Sequence, residues 1–266
     1  MRTLCIDTSG PAVISLVDGQ TILAEAVEPN ARRHAESLGL LLGEILEALD
    51  LQDLPGAGID RVCVGVGPGP FTGLRAGIIF ASTLGRGLGV PVLGVGSLEA
   101  LARQAIDEVE VSEQTLRIGS SETPALSESD QVALPASENL RVLVVTDAKR
   151  HEIYWAIYGA KGADDVQSIE GPNVGPATEA LTNAIDRGVK AIAGPRATLE
   201  SLREVLEENS AEGARLGETV LVPLDVNPAV FPRIVDTRAD DEFPLTPLYL
   251  RRPDIHGQPT ILMPPN

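Results

Sequence analysis

The residues best suited to chemistry in this sequence fall in one glycine-rich segment and at two aspartates. Gly65-Val66-Gly67-Pro68-Gly69-Pro70-Phe71-Thr72-Gly73-Leu74-Arg75 has the form of a strand-to-helix turn. Such turns often cradle phosphate on backbone N–H groups at a helix N-terminus. Here Pro68 and Pro70 each remove a donor, and the Gly-Lys-Ser/Thr ending of a phosphate loop is absent, so a rigid structural turn is the better reading. Asp7 and Asp147 each close an apolar run before a tight turn: Leu4-Cys5-Ile6-Asp7-Thr8-Ser9-Gly10 matches Val144-Val145-Thr146-Asp147-Ala148-Lys149-Arg150 in plan. A carboxylate so placed can hold Mg²⁺ beside a nucleotide, which makes Asp7, Thr8, Ser9 and Asp147 weak candidates for nucleotide contact. Ser9 and Lys149 stand where close phosphate approach wants glycine, and aspartates that cap their own turns fit the pattern equally well.

Other catalytic sets are missing. His34, His151 and His256 are far apart, and the residue four after His34 is Leu38, so the paired-His helix of a metal hydrolase is broken and no metal site is expected. Gly-x-Ser-x-Gly does not occur, which removes the usual nucleophile elbow. Cys5 and Cys63 lie within apolar runs and read as small core residues of a reducing compartment. No catalytic residue is assigned.

The elements that would position these residues are legible. Leu4-Cys5-Ile6, Val13 to Val17 and Ile22 to Val27 read as an antiparallel meander with Asp18-Gly19 in a hairpin turn. Leu38, Leu41, Leu42, Ile45, Leu46 and Leu49 give an amphipathic helix from about His34 to Asp50. Val62 to Val66 is a buried strand, Thr72 is expected to cap a second helix closed by Gly89, Val92 to Val95 is a further strand, and Ser97 is expected to cap a third helix ending near Ile106. In the second helix Gly77, Ala81, Gly85 and Gly89 form one ridge without bulk, flanked by Ile78 and Ile79 and bracketed by Arg75 and Arg86. That ridge packs either on its own sheet or, together with the leucine stripe of the first helix, on a matching pair from another chain.

Three segments follow: 1–106, a lobe of strands and helices; 107–140, an acidic Ser/Pro-rich insertion expected to be mobile; and 141–266, a second lobe with a Pro-rich tail. The insertion carries eight acids between Asp107 and Glu138 against Arg117 alone. In the second lobe strands are expected at Arg141 to Asp147, Ile153 to Tyr158 and Ala191 to Ala193, with helices around Glu179 to Arg187 and Leu199 to Glu207. With 266 residues, a net charge of -17 and 3% aromatic residues, the chain can bury a large core but repels nucleic acid and offers few stacking platforms. The N-terminus lacks the apolar stretch of a signal peptide and no run is long enough for a membrane span, so a cytoplasmic location without membrane association is expected.

Gly67-Pro68-Gly69-Pro70-Phe71-Thr72-Gly73-Leu74-Arg75 closely resembles the Gly-Pro-Gly-Ser-Phe-Thr-Gly-Leu/Val-Arg signature of the bacterial TsaB (YeaZ) family. Leu4-Cys5-Ile6-Asp7-Thr8-Ser9, Arg33-His34-Ala35-Glu36, Asp147-Ala148-Lys149-Arg150-His151-Glu152-Ile153-Tyr154 and Pro247-Leu248-Tyr249-Leu250-Arg251 match in order. Pro70 for serine and Lys149 for arginine depart from the pattern, and the acidic insertion has no counterpart. The resemblance implies an α/β chain of actin/Hsp70/sugar-kinase-like fold with two related lobes. It also implies a non-catalytic subunit that pairs with the transferase TsaD, joined by the ATPase TsaE, in forming threonylcarbamoyladenosine beside the anticodon of tRNA. Pairing through the first two helices would place Leu38, Leu41, Leu42, Ile45, Phe71, Arg75, Ile78, Ile79, Ser82 and Arg86 at the interface. The chain itself would hold no cofactor, with ATP and Mg²⁺ acting through the complex, tRNA reached only indirectly, and a homodimer forming in isolation. An ATP-binding kinase or ATPase of the same superfamily is the alternative, and the glycoprotease label carried by relatives has neither a metal set nor an activated nucleophile behind it.

Overall fold

Two five-stranded sheets are built on one plan, and a computed structural model describes it over residues 1–29, 34–119, 140–208, 215–216 and 219–251. The first lobe opens with β1 (Arg2–Asp7), β2 (Ala12–Asp18) and β3 (Thr21–Glu28), an antiparallel meander whose first turn of hairpin type places Gly19 at φ 61°. Helix α1 (His34–Ala48) leads to β4 (Arg61–Gly65), α2 (Phe71–Leu88) to β5 (Val92–Val95), and α3 (Ser97–Gly119) closes the lobe. The sheet order is β3-β2-β1-β4-β5, with β4 and β5 parallel to β1. The second lobe repeats it: β6 (Arg141–Lys149), β7 (Glu152–Lys161), β8 (Asp165–Gly175), α4 (Ala177–Asp186), β9 (Ala191–Gly194), α5 (Arg196–Glu208) and β10 (Val220–Pro223) give the order β10-β9-β6-β7-β8. This duplicated mixed sheet with flanking helices is the actin/Hsp70/sugar-kinase-like fold.

The continuous apolar runs exist because each central strand is covered on both faces. Alternate residues of β1 point opposite ways: Leu4 and Ile6 join the core beneath α1 and α2, while Cys5 joins the core around α3. That second core is shared by both lobes, bringing Cys63, Val95 and Leu101 together with Val142, Val144 and Tyr158. A third, under α4 and α5, is built on Leu143, Val145, Ile153 and Trp155.

Several boundaries differ from the sequence expectation. α2 is capped by Pro70, whose carbonyl accepts from Leu74 N at 3.0 Å, and Thr72 lies inside the first turn. Proline suits the last extended position before a helix, where its fixed φ and missing N–H cost nothing. Ser97 likewise begins α3 instead of capping it, and its hydroxyl goes elsewhere. α3 does not stop near Ile106; it runs to Gly119, so the start of the acidic stretch is helical and the boundary expected at Asp107 falls within α3. The acids there have partners: Asp107 pairs with Arg103 at 2.8 Å and with Arg233 of the short helix α6 (Phe231–Val235), and Val109 packs on the shared core. Residues 120–139 and the end of the tail, 252–266, lie outside the described residues. β8 and β10 were not anticipated.

Beyond the apolar core, the lobes are tied by the chain that follows α6. Arg238 donates to both carboxylate oxygens of Asp165 on β8, to Val166 O at 3.2 Å and to Glu99 of α3 at 3.2 Å. Gly94 N donates to Phe243 O at 3.0 Å, adding that chain to β5. Arg238→Met should leave the buried Asp165 and the partly buried Glu99 short of their cation and cost about 3 kcal/mol. Urea unfolding at neutral pH would read this as a lower midpoint with an unchanged slope; an unchanged midpoint would mean that Lys161, 3.1 Å from Asp165, suffices.

Candidate functional site

At the end of β1 the Asp7 carboxylate is fully buried and fully engaged. Oδ1 accepts from Ser9 N at 2.8 Å and Ser9 Oγ at 2.6 Å, and Oδ2 accepts from Ser97 Oγ at 2.6 Å. Burial pushes its carboxyl above the usual value, and these three hydrogen bonds only partly offset that. Glycine is required beside it, because a Cβ on Gly65 would lie 1.8 Å from Asp7 Oδ2. The glycine-rich loop then lies directly on the turn: a Cβ on Gly69 would meet Ser9 Cα at 2.8 Å. The Thr8 hydroxyl donates to Gly73 O at 2.9 Å and fills the space a Cβ on Gly77 would need. Of the proposed nucleotide contacts, Asp7, Thr8 and Ser9 are thus brought together, but against the chain's own loop.

Asp147 ends up in a different setting. It sits half exposed near the end of β6, just before the β6–β7 turn, accepting from Lys149 N at 2.7 Å and paired with Lys149 Nζ. Partial burial alone would raise its carboxyl, but the Lys149 hydrogen bonds and charge outweigh it and hold the group below its usual value. Lys149, Arg150 and His151 follow at φ 64°, 57° and 61°. Three successive left-handed residues without glycine cost about 1 kcal/mol each, so the turn is held by its surroundings. Part of that support is Arg251, which donates to Ala148 O and pairs with Glu152.

The interface candidates separate by burial. Leu38, Leu41 and Ile45 belong to the chain's own core under α1, and the ridge of Gly77, Ala81 and Gly85 faces inward against Thr8 and Val92. These residues cannot face a partner, because the stripe that makes α1 amphipathic is the one its own sheet requires. Leu42 and Ile78 are partly buried on the same core, and the half-buried Ser82 donates to Ile78 O at 2.7 Å. What α2 presents outward is Arg75, Ile79, Thr83 and Arg86, one face at helical spacing with Ile79 65% exposed. Phe71 stacks on Tyr249 at 4.6 Å, and Arg75 donates to the Tyr249 hydroxyl at 2.9 Å. α1, packed beside α2, presents Leu40, 68% exposed, between Gly39 and Gly43, both open to solvent. Leu40 was missed by sequence reasoning although a leucine between two glycines on the polar side of an amphipathic helix was a readable sign.

Among the described residues, no group of three His, Cys, Asp or Glu side chains could hold a metal ion, and no helix is long and apolar enough to cross a membrane. The family model described as TsaD, tRNA N6-adenosine threonylcarbamoyltransferase, matches residues 21–113, which span β3 to α3. Over 94% of its length the chain is 35% identical to an uncharacterized protein of Mycobacterium bovis, covering 92% of it. It is 34% identical to the Bacillus subtilis tRNA threonylcarbamoyladenosine biosynthesis protein TsaB over 38% of this chain and 44% of that one. The chain belongs to the TsaB/YeaZ family. The TsaB-type fold extends over both lobes: a Pseudomonas aeruginosa crystal structure described as an uncharacterized protein with similarity to peptidase YeaZ superposes with a TM-score of 0.58 at 22% identity, covering 94% of this chain and 99% of that one. Within the TsaD-like match, the helix position four beyond His34 is the buried core residue Leu38 rather than a ligand.

Asp7→Asn tests the first turn. A carboxyl raised in the folded state binds its proton more tightly there than in the unfolded chain, so its contribution to stability falls as pH rises from about 4 through the folded value. The variant can still accept from Ser9, so it should fold, and urea unfolding across that range should lose this downward component. A steeper fall in the variant would overturn the assignment of a raised, turn-bound carboxyl.

Proposed function

We propose that this TsaB-family chain is a non-catalytic scaffold in the formation of threonylcarbamoyladenosine on tRNA, pairing with a TsaD-like transferase through the outer face of α1 and α2. The observation that carries this reading is the exposure of Leu40 and Ile79 on a packed helix pair whose inward face is fully satisfied. Large apolar side chains that project from otherwise polar helix faces beside open glycines suit close helix-on-helix contact. Arg75 and Arg86 at either end supply charges that would fix register more than affinity. Arg75 is already oriented by Tyr249, so one end of the surface is set before a partner arrives.

In this assembly the chain orders the transferase and contributes no reacting group. A TsaE-like ATPase joins the pair, ATP and Mg²⁺ act through the complex, and tRNA is reached through the partner, as suits a chain of net charge -17. The same face would support a homodimer when the partner is absent. A kinase or ATPase is the weaker reading, because phosphate at Asp7 would have to displace Gly69 from Ser9 and break the three hydrogen bonds that Asp7 already accepts.

Ile79→Arg and Leu40→Arg should each leave the isolated chain folded, since both positions are exposed. Each should weaken co-purification with a co-expressed TsaD-like transferase by about thirtyfold, the equivalent of about 2 kcal/mol. Val220→Arg, on an exposed edge of the second lobe, should have no effect. Equal recovery of all three variants would defeat the assignment.

A further inference from the structure

α1 and α2 carry one sequence pattern in opposite charge. Along α1 it is Glu36, Leu40, Gly43 and Glu47; along α2 it is Arg75, Ile79, Ser82 and Arg86. Both run charge, large apolar, small, charge, in steps of four, three and four residues, which is the spacing of one helix face. The signs are fully divided: the 18 residues of α2 hold two arginines and no acid, and the 15 of α1 hold three glutamates and no lysine or arginine. For α2 this runs against the composition of a chain with 38 acidic and 21 basic residues.

Glu47, Arg75 and Arg86 are exposed, and none forms an ion pair among the described residues. Arg75 uses only Nε, on the Tyr249 hydroxyl, so its two terminal amino groups remain available as a fork for a carboxylate. α1 joins β3 to β4 and α2 joins β4 to β5, all parallel strands, so the two helices run the same way over one core. A copy of this face can be laid on it about a two-fold axis across the helices or along them. The first sets α1 on α1 and α2 on α2, antiparallel, and opposes glutamate to glutamate and arginine to arginine. The second sets α1 on α2 of the second copy, running parallel, and the equal spacing brings each position to its match. Glu36 then meets Arg75, Glu47 meets Arg86 about 16 Å further on, Leu40 covers Ile79, and Gly43 lies against Ser82, where small residues permit close approach.

We propose that a second copy of this chain pairs on this face, α1 against α2, with the two-fold axis along the helices and the glutamate–arginine pairs fixing the register. The inference rests on the reading of the α1 and α2 face as a pairing surface, and adds to it an orientation and a charge rule. A partner fits when it offers acid opposite α2 and base opposite α1.

The test is sedimentation equilibrium of the full chain at low salt and up to about 100 µM. The wild type should form a dimer. Glu47→Arg and Arg86→Glu should each weaken it about thirtyfold, because each sets like charges together at two places in the dimer. The chain carrying both substitutions should recover, since every reversed charge then meets a reversed partner. Both positions are exposed, and recovery in the double variant separates lost pairing from lost folding. A single reversal that tightens the dimer would set like helix on like helix and overturn the proposal. A wild type that stays monomeric, or a double variant that does not recover, would overturn it as well. Self-pairing by this rule without binding of a TsaD-like transferase would remove the proposed function alone; transferase binding by a chain that stays monomeric would remove this inference alone.

Discussion

The buried carboxylate of Asp7 is the constraint around which the first lobe is arranged. It ends β1, receives the turn to β2 through Ser9, and receives the start of α3 through Ser97. It leaves no room for a side chain on β4, which is why Gly65 is there, and the loop from β4 to α2 must then pass over Ser9 with glycine at 69. Thr8 anchors the first turn of α2 and requires glycine at 77. A single ionisable group taken out of water thus joins three chain segments and dictates glycine at 65, while its neighbours Ser9 and Thr8 dictate it at 69 and 77. Burial of such a group is tolerable because every lone pair it uses is matched by a donor.

The duplicated plan makes the contrast between the lobes informative. Both have an aspartate at the first strand's end and a tight turn after it, yet one turn is sealed by the glycine-rich loop while the other is open, strained and bordered by a cavity. Closing the first turn lays the glycine-rich loop on Ser9 and ties Thr8 to the first turn of α2. The tail strengthens this support: Leu248 N donates to Val66 O at 2.8 Å, Tyr249 reaches Phe71 and Arg75, and Arg251 reaches the β6–β7 turn. A surface that is exposed, apolar and rigidly backed binds a partner without first paying to order itself.

The sequence made the central strands, α1, α2 and the repeat between lobes legible, because runs buried on both faces and a helix with one stripe leave strong patterns. β8 and β10 left weak ones. β8 is a long outer strand interrupted by Gly171-Pro172 with polar residues exposed, and β10 is four residues ending in proline, so neither alternates cleanly. The length of α3 was hidden by composition: summed as free charge, Asp107 and Glu110 suggest a solvated insertion, whereas in the fold they face Arg103, itself almost fully buried. For the partner surface, sequence reasoning chose the most apolar stripe of α1, which the core had already claimed. Ile79 on α2, which sequence reasoning did name, and Leu40 on α1, which it did not, are the large apolar side chains left exposed on that helix pair. The sealing of the Asp7 turn was only partly readable, since Pro68 and Pro70 signal a loop poor in donors but not where it lies.

Hydrogen–deuterium exchange of the full chain, alone and mixed with a TsaD-like transferase, addresses the central claim most directly. If the outer face of α1 and α2 is the docking surface and the Asp7 turn is already closed, protection should rise in peptides covering 37–47 and 71–88, and those covering the first turn should stay as slow as in the free chain. Protection confined to the β6–β7 turn and α5, or a slowing of exchange in the Asp7 turn without change in α1 and α2, would contradict the account.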